Sequence, residues 1–214
     1  MFINKTGIEH ENYGINNQDF GFENGIIKCV VDGCSEGKHS EVGAKLFCHL
    51  LNKAVAPIDK LDIDLIFEEI ISLIGKESSN LRNYMCFTIL YITETDSEFI
   101  VNACGDGFII KHTIDDKIEY EKIDNGEYPK YYAYNYASKE SLGKFKEGVT
   151  FQEYRFSKDK YTAIGVASDG LRYLFDKDFE EDFSSFILKR KSSAIKRLIN
   201  REHKYFKDDI TLVI

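Results

Sequence analysis

Consecutive β-type segments between residues 84 and 123 constrain the fold of this chain more than any other feature. They are rich in apolar and aromatic residues, and turn signals such as Asp96-Ser97 and Gly105-Asp106-Gly107 separate them. The segments cover residues 84–92, 98–104, 108–113 and 117–123. Strands that follow one another through turns form an antiparallel meander, so the sequence predicts a fold built on antiparallel sheets.

Helical patterns lie on both sides of this meander. Ser40 opens a helix whose apolar residues recur at helical spacing, Pro57 ends that segment, and a second helix is predicted over residues 62–75. A helix pair is predicted over residues 170–200. Because the strands come in runs and do not alternate with single helices, the predicted class is α+β, a β-sandwich with helices outside. The remaining predicted strands are two within residues 19–32, joined by a hairpin turn at Glu23-Asn24-Gly25, and one each at residues 150–156, 161–167 and 210–214.

Size and composition narrow the functional classes. The 214 residues suit a single domain, residues 1–214, and the net charge of −8 argues against a nucleic-acid partner. No apolar stretch approaches the ~18 residues of a membrane span, and the N-terminus lacks the features of a signal peptide. The sequence therefore predicts a cytoplasmic protein, expected to be a monomer, that binds neither nucleic acid nor a membrane.

The five cysteines contain no CxxC pair, which argues against a zinc site or an exported disulfide scaffold. Most of them lie in apolar runs and are expected to be buried free thiols. Cys34 is the exception, because it follows Asp32-Gly33 directly and is expected close to a functional site.

Apolar runs that stop at an aspartate beside a glycine are the best clue to function. They end at Asp32-Gly33, Gly105-Asp106-Gly107 and Asp169-Gly170, and Asp19 and Asp208 also lie at strand edges. One Asp-Gly pair alone is more often only a turn. Five such positions can bring carboxylates together at one rim of a sheet, and Mg²⁺ and Mn²⁺ prefer oxygen ligands of this kind. The sequence therefore predicts a divalent-cation site.

In their order and spacing these residues resemble the type-2C, metal-dependent (PPM) protein serine/threonine phosphatases. The resemblance runs from Asn17-Gln18-Asp19 to Asp208-Asp209-Ile210-Thr211, and Ala167-Ser168-Asp169-Gly170-Leu171 is its closest motif. Val30-Val31-Asp32-Gly33 is similar to the bridging-aspartate motif of the family. The Gln18-Asp19 pair, with His10 upstream, is more similar to the divergent bacterial branch than to the main eukaryotic one.

The resemblance implies a four-layer α-β-β-α sandwich of two antiparallel sheets, with a dinuclear Mn²⁺ or Mg²⁺ centre at one end. Asp32 would bridge both ions, and the carbonyl of Gly33 would bind one of them. Asp169 and Asp208 would hold the other ion, with Asp19 in or next to the shell. Asp106, with Asp169, would help to bind a third, weaker ion.

Several positions depart from the pattern of the family. Gln18 stands where many members carry a metal-binding glutamate, and Gly14 lies near the place of an arginine that grips phosphate. Cys34 stands where many members have a histidine proposed as general acid. His39 is the candidate that replaces this histidine; the alternative is a solvated residue at a helix start.

The groups that would contact the substrate are predicted only by position. His10 is a candidate for catalysis and phosphate recognition, or else a surface histidine near a turn. Residues 124–148 correspond to the variable flap of the family, and Tyr131 and Tyr132 either contact the substrate or pack the flap down. Arg172, one turn past Asp169, is expected to be exposed and not catalytic.

The leading hypothesis is therefore a protein phosphatase that hydrolyses phosphoserine and phosphothreonine in a phosphoprotein through a metal-activated water. The alternative is a weak or inactive phosphatase-like module that signals by binding. Hydrolysis of a small-molecule phosphate by the same centre is a third hypothesis.

Overall fold

The computed structural model describes residues 1–54, 61–124, 126, 130–138 and 147–214. In these ranges the chain forms ten strands in two five-stranded sheets. The strands, β1 to β10 in chain order, are Phe2–Lys5, Phe20–Glu23, Lys28–Gly33, Phe87–Glu94, Glu98–Cys104, Gly107–Thr113, Ile118–Ile123, Gln152–Ser157, Tyr161–Ala167 and Ile210–Val213. The α-helices, α1 to α6, are Ile8–Tyr13, Ser40–Ala54, Ile63–Ile74, Ser78–Tyr84, Glu180–Leu188 and Ser192–Arg201.

The two sheets have the strand orders β1-β10-β9-β6-β7 and β2-β3-β4-β5-β8, which we call the first and the second sheet. All of the pairings are antiparallel. The central meander is split between them: β4 and β5 pair in the second sheet, whereas β6 and β7 pair in the first. The antiparallel α+β class predicted from the sequence is thereby confirmed.

Apolar side chains fill the space between the sheets. Val30, Leu90 and Val101 of the second sheet belong to one buried cluster with Ile109 and Val166 of the first. Strand β4 is buried on both faces, which explains why its sequence is an almost unbroken apolar run and not an alternation.

Helices cover both outer faces, which completes the four layers. On the second sheet, the rings of Phe47 of α2 and Phe67 of α3 lie 5.6 and 5.7 Å from the ring of Phe87 in β4. On the first sheet, Phe183 of α5 and Leu198 of α6 share a buried cluster with residues of β10. Asp62 caps the N-terminus of helix α3. Its carboxylate accepts hydrogen bonds from the backbone N–H groups of Asp64 and Leu65.

The predicted hairpin and helices agree with the structure in their main parts. The Asn24 side chain accepts hydrogen bonds from the backbone N–H groups of Ile26 and Ile27 in the turn between β2 and β3. Three short elements were not predicted: β1, α1 and α4. The strand predicted from residue 84 begins instead at Phe87, because α4 extends through Tyr84. The helix pair predicted over residues 170–200 is a 3-10 helix, Asp169–Lys177, followed by α5 and α6.

Two short links join the sheets. Gly105 and Asp106 connect β5 of the second sheet to β6 of the first, and residues 158–160 connect β8 to β9 at the opposite end of the strands. Among the described helices, none has the length and apolar character needed to cross a membrane.

Candidate active site

Antiparallel pairing brings the predicted aspartates to one end of the sandwich. Asp32 lies near the end of β3, opposite Thr88 at the start of β4. The first residue of β2, just after Asp19, pairs near the end of β3. In the first sheet, the end of β9 pairs with the starts of β6 and β10, which places Asp106, Asp169 and Asp208 at the same end.

These residues surround a cleft of about 580 Å³. Four of the predicted aspartates line it, together with Gly33 at the end of β3 and Cys34 just after it. Tyr131 and Tyr134 form the side of the cleft contributed by the predicted flap. The four aspartates are Asp32, Asp106, Asp169 and Asp208.

Asp19 lies beneath the cleft and contacts Asp32. Burial, and then the neighbouring carboxylate of Asp209, raise the pKa of Asp19 to about 8, although a hydrogen bond with Ser168 opposes the shift. Burial also raises the pKa of Asp32 well above its ordinary value, and the negative charges of Asp19 and Asp169 raise it further. These carboxyl groups are close enough to one another to disfavour full ionisation.

Arg172 is the cation nearest to this cluster among the described residues. One guanidinium nitrogen lies 2.5 Å from Asp169 Oδ2, and the other terminal nitrogen lies 3.5 Å from Asp208 Oδ2. The guanidinium also donates to the Tyr173 hydroxyl at 3.1 Å. Burial raises the pKa of Asp169 to about 6, and the charge of Arg172 limits that rise. The side chain is exposed, as predicted, yet it bridges two candidate metal ligands.

Tight backbone packing fixes the turns that carry the aspartates. A Cβ atom on Gly170 would lie 1.9 Å from the carbonyl oxygen of Asp209, so the turns after β9 and before β10 touch at this point. A Cβ on Gly33 would lie 2.7 Å from Ser40 Oγ. Glycine is required at both positions because the neighbouring chain leaves no room for a side chain.

The Gln18 side chain is buried and bonds to the segment at the start of α2. Its amide nitrogen donates to Ser40 Oγ at 2.9 Å and to the Gly37 carbonyl at 3.3 Å. Gln18, which departs from the pattern of the family, therefore links the segment before β2 to the start of α2. The Gln18 amide nitrogen thus donates two hydrogen bonds, whereas its Oε1 is buried without a hydrogen-bond partner among the described residues.

His10 is buried and lies against Asp209, whose role the sequence did not reveal. His10 Nδ1 is 2.9 Å from Asp209 Oδ2. The same carboxylate accepts from the backbone N–H groups of Gly7 at 2.8 Å and Gln18 at 2.6 Å. Asp209 thus ties α1 and the segment before β2 to the segment before β10. His10 is not among the described residues that line the cleft.

The other candidate residues divide between the cleft and its surroundings. His39 is exposed at the start of α2, where its ring lies 5.2 Å from that of Tyr84 and does not line the cleft. Tyr131 and Cys34 both line the cleft, and the nearby Cys34 side chain contributes, after burial, to raising the pKa of Tyr131. The Tyr132 hydroxyl donates to Asp64 of α3 at 3.0 Å, so its ring packs the segment against the helix layer.

The predicted flap, residues 124–148, is described only in part. Residues 125, 127–129 and 139–146 lie outside the described residues. Within the described part, Tyr132–Tyr136 form a 3-10 turn, and Asn135 exchanges two hydrogen bonds with the backbone of Val149. Four of the five cysteines are buried and all are free, with Cys34 the one that reaches the cleft.

The donor set fits a hard divalent cation. It consists of carboxylates from two sheets, and Asp19 Oδ2 is a buried oxygen without a hydrogen-bond partner. Within the described ranges, however, no three Asp, Glu, His or Cys side chains already form a complete ligand group. The ligands are therefore of the right kind, while Arg172 holds two of them.

Comparison with known proteins agrees with the fold and the motif order. The structure is similar to a bacterial serine phosphatase, with a TM-score of 0.64 and 14% identity over 99% of this chain and 94% of that chain. It is also similar to the Mycobacterium tuberculosis serine/threonine phosphatase PstP, with a TM-score of 0.62 and 14% identity over 99% and 95%. The catalytic domain of PstP in complex with 2 manganese ions gives a TM-score of 0.63 and 13% identity over 99% and 94%.

No curated protein sequence matches the chain significantly. The sequence profile described as Protein phosphatase 2C matches residues 6–197, which is most of the 214 residues and spans all the aspartates described above except Asp208 and Asp209. The resemblance read from the motifs is thus confirmed, and the chain belongs to the protein phosphatase 2C family.

Proposed function

We propose that the protein is a metal-dependent phosphatase that hydrolyses phosphoserine and phosphothreonine in protein substrates at this cleft. The observation that carries the proposal is the meeting of Asp19, Asp32, Asp169 and Asp208 from both sheets, with raised pKa values for three of them. Carboxylates that repel each other in this way are stabilised by a bound cation. The PstP catalytic domain, which has the same fold, was solved with manganese.

The residues would divide the work as follows. Asp32 would bridge two ions, with the Gly33 carbonyl on one and Asp169 and Asp208 on the other, while Asp19 supports Asp32 from below. Divalent cations at these positions supply a water of lowered pKa and positive charge against the phosphoryl oxygens. Asp106, on the link between the sheets, would contribute to a weaker outer site.

The wall of the cleft would position the substrate. Tyr131 and Cys34 face the cleft from the flap side and from the loop after β3. Tyr131 is the better placed of the two predicted tyrosines to contact a phosphorylated segment. The roles predicted for His10, His39 and Tyr132 would require them to act from outside the cleft, so we assign phosphate contact to none of them.

Activity with and without metal tests this proposal. We expect the purified protein to hydrolyse an aryl phosphate and a phosphothreonine peptide with Mn²⁺, and to lose that activity in EDTA. Asp32→Asn should lower kcat/KM by at least about 100-fold, because it removes the charge that would bridge the ions. Asp159→Asn, an exposed residue at the opposite end of the sandwich, is the matched control. Equal rates for the two variants would refute the proposal.

A second candidate function is a phosphatase-like binding module with little catalysis. The observation in its favour is the ion pairing of Arg172 with Asp169 and Asp208, which offsets part of the negative charge of these two residues without a metal. Calorimetry separates the candidates. The module predicts no Mn²⁺ binding together with retained binding of a phosphopeptide, whereas the phosphatase predicts Mn²⁺ binding that Asp32→Asn weakens.

A further inference from the structure

Arg172 is exposed, yet its guanidinium makes several specific contacts at the rim of the cleft. It is held by Asp169, by Asp208 and by the Tyr173 hydroxyl, and its guanidinium carbon lies 5.0 Å above the Tyr173 ring. The two carboxylates come from different turns, one after β9 and one before β10. The guanidinium therefore bridges two segments at the rim of the cleft.

Asp169 Oδ2 and Asp208 Oδ2 cannot bind both the guanidinium and a metal ion strongly at the same time. Ligand oxygens lie within 2.0–2.6 Å of Mg²⁺ or Ca²⁺, and a second cation at contact distance from them is repelled by the metal. A divalent ion that binds Oδ2 of Asp169 and Oδ2 of Asp208 therefore has to break at least one of the contacts of Arg172. The long side chain can do so by rotation alone, since it is 45% exposed.

The Arg172 side chain can rotate without a movement of the backbone that carries it. Leu171 and Leu174 on either side are fully buried in the first-sheet cluster, so the 3-10 helix stays in place while the side chain of Arg172 moves. The contact of Gly170 with Asp209 keeps the two turns together in both states. Only the guanidinium has to leave.

We propose that Arg172 is a displaceable internal counter-ion, which holds Asp169 and Asp208 in the metal-free protein and is released when a divalent cation binds them. The inference rests on the proposed function, because it takes these two residues as metal ligands. It goes further in making metal loading a competition with a residue of the chain itself. Metal affinity is then set by Arg172 as well as by the ligands.

Calorimetric titration of the EDTA-treated protein with Mn²⁺ tests the competition. We expect Arg172→Ala to bind the ion at Asp169 and Asp208 about five- to tenfold more tightly than the wild type, the range expected for losing two partly exposed ion pairs. Arg172→Lys, which retains the charge but lacks the fork that spans both carboxylates, should lie between them. Arg155→Ala is the matched control, since Arg155 also pairs with two carboxylates, Glu98 and Glu153, but on the edge strand β8.

A second readout follows the side chain itself. The ¹⁵Nε resonance of Arg172, identified by its loss in Arg172→Lys, should shift on titration with diamagnetic Mg²⁺ with the same midpoint as calorimetric Mg²⁺ binding. The Arg155 resonance should stay in place. An unmoved Arg172 resonance in a metal-saturated protein would overturn the inference.

The outcomes also separate this inference from the function it rests on. Wild-type Mn²⁺ binding that Asp208→Asn weakens, with equal affinity in Arg172→Ala, refutes the counter-ion role and leaves the phosphatase proposal standing. Failure of both the wild type and Arg172→Ala to bind Mn²⁺ refutes both. Binding by Arg172→Ala alone supports the competition in its strongest form. Thermal unfolding of each variant, followed by circular dichroism, establishes that it is folded.

Discussion

At the scale of single residues, His10 and Asp209 form the contact that differs most from the expectation of the sequence. His10 is a candidate for phosphate recognition by its position in the chain, yet the structure buries it against a carboxylate that also accepts two backbone hydrogen bonds. Asp209, which follows the candidate metal ligand Asp208 in the chain, is therefore held by its own separate set of contacts. From this arrangement we expect His10 to have a positioning role.

Replacing His10 tests that role. We expect His10→Ala to lower the free energy of unfolding by about 2 kcal/mol, because it removes a partner from a buried carboxylate. At saturating Mn²⁺ the KM for a phosphopeptide should stay close to the wild-type value. The measurements are urea unfolding and steady-state kinetics, with His49→Ala on the exposed side of α2 as control. A raised KM with unchanged stability would instead support phosphate recognition by His10.

Residue-scale features also mark the limit of what the sequence predicts. Each aspartate was identified because it follows or precedes an apolar run, and that signal is local. The partners of Arg172 and His10 lie on segments that only the tertiary fold brings together, and Asp209 looked like one member of a terminal Asp-Asp pair. Asp208 faces the cleft and Asp209 is buried, and no local sequence pattern distinguishes the two.

At the scale of elements, the turns after β9 and before β10 act as one unit. Gly170 and the Asp209 carbonyl are in direct contact, and the Ser168 hydroxyl accepts from the Thr211 N–H at 2.9 Å. The separation of Asp169 and Asp208 is fixed by these contacts. The elements thus set the spacing of these two candidate ligands.

Adding a methyl group at this contact should disturb both fold and site. We expect Gly170→Ala to lower the free energy of unfolding by about 3 kcal/mol, because the Cβ overlaps backbone that cannot rotate away. Gly37→Ala, whose Cβ would have its nearest neighbours at 3.2 Å, should cost much less. Chemical denaturation of both variants checks the difference. Similar losses of stability would show that the turns can separate easily.

Elements were predicted best where the pattern is long. The strands between residues 87 and 123, and helices α2 and α3, carry several periodic apolar residues each, so their type was evident. Strand β1 has 4 residues and α1 has 6, which is too short for periodicity to emerge, and β1 exists because it pairs with β10. Tertiary contact, and not local preference, decides such elements.

At the scale of the whole molecule, the candidate site joins the two sheets. Asp32 lies in the second sheet and Asp19 directly precedes strand β2 of that sheet, whereas Asp169 and Asp208 lie beside strands β9 and β10 of the first sheet. A cation shared by these residues would crosslink the layers, in addition to neutralising charge. The number of strands and their pairing could be inferred only in outline from the sequence, because which strands share a sheet depends on contacts distant in the chain.

Metal should therefore stabilise the entire sandwich. At 100 times its dissociation constant, Mn²⁺ should add about 2.7 kcal/mol to the free energy of unfolding, which corresponds to a rise in Tm of about 5–10 °C for a chain of this length. Differential scanning calorimetry with Mn²⁺ and with EDTA measures the change. Asp32→Asn should show a much smaller rise, and an equal rise in that variant would place the stabilising ion elsewhere.

The two short links between the sheets limit how the cleft can change shape. Gly105 and Asp106 tie the layers together at the cleft, and residues 158–160 tie them at the far end. Because the chain joins the layers closely at both ends, we expect little sliding or hinging of one sheet against the other. We therefore expect ions and substrates to enter through movements of single side chains and of the side of the cleft that carries Tyr131 and Tyr134. Adaptation of this protein to new ligands should then proceed by exchange of those few surface groups while the two sheets stay in place.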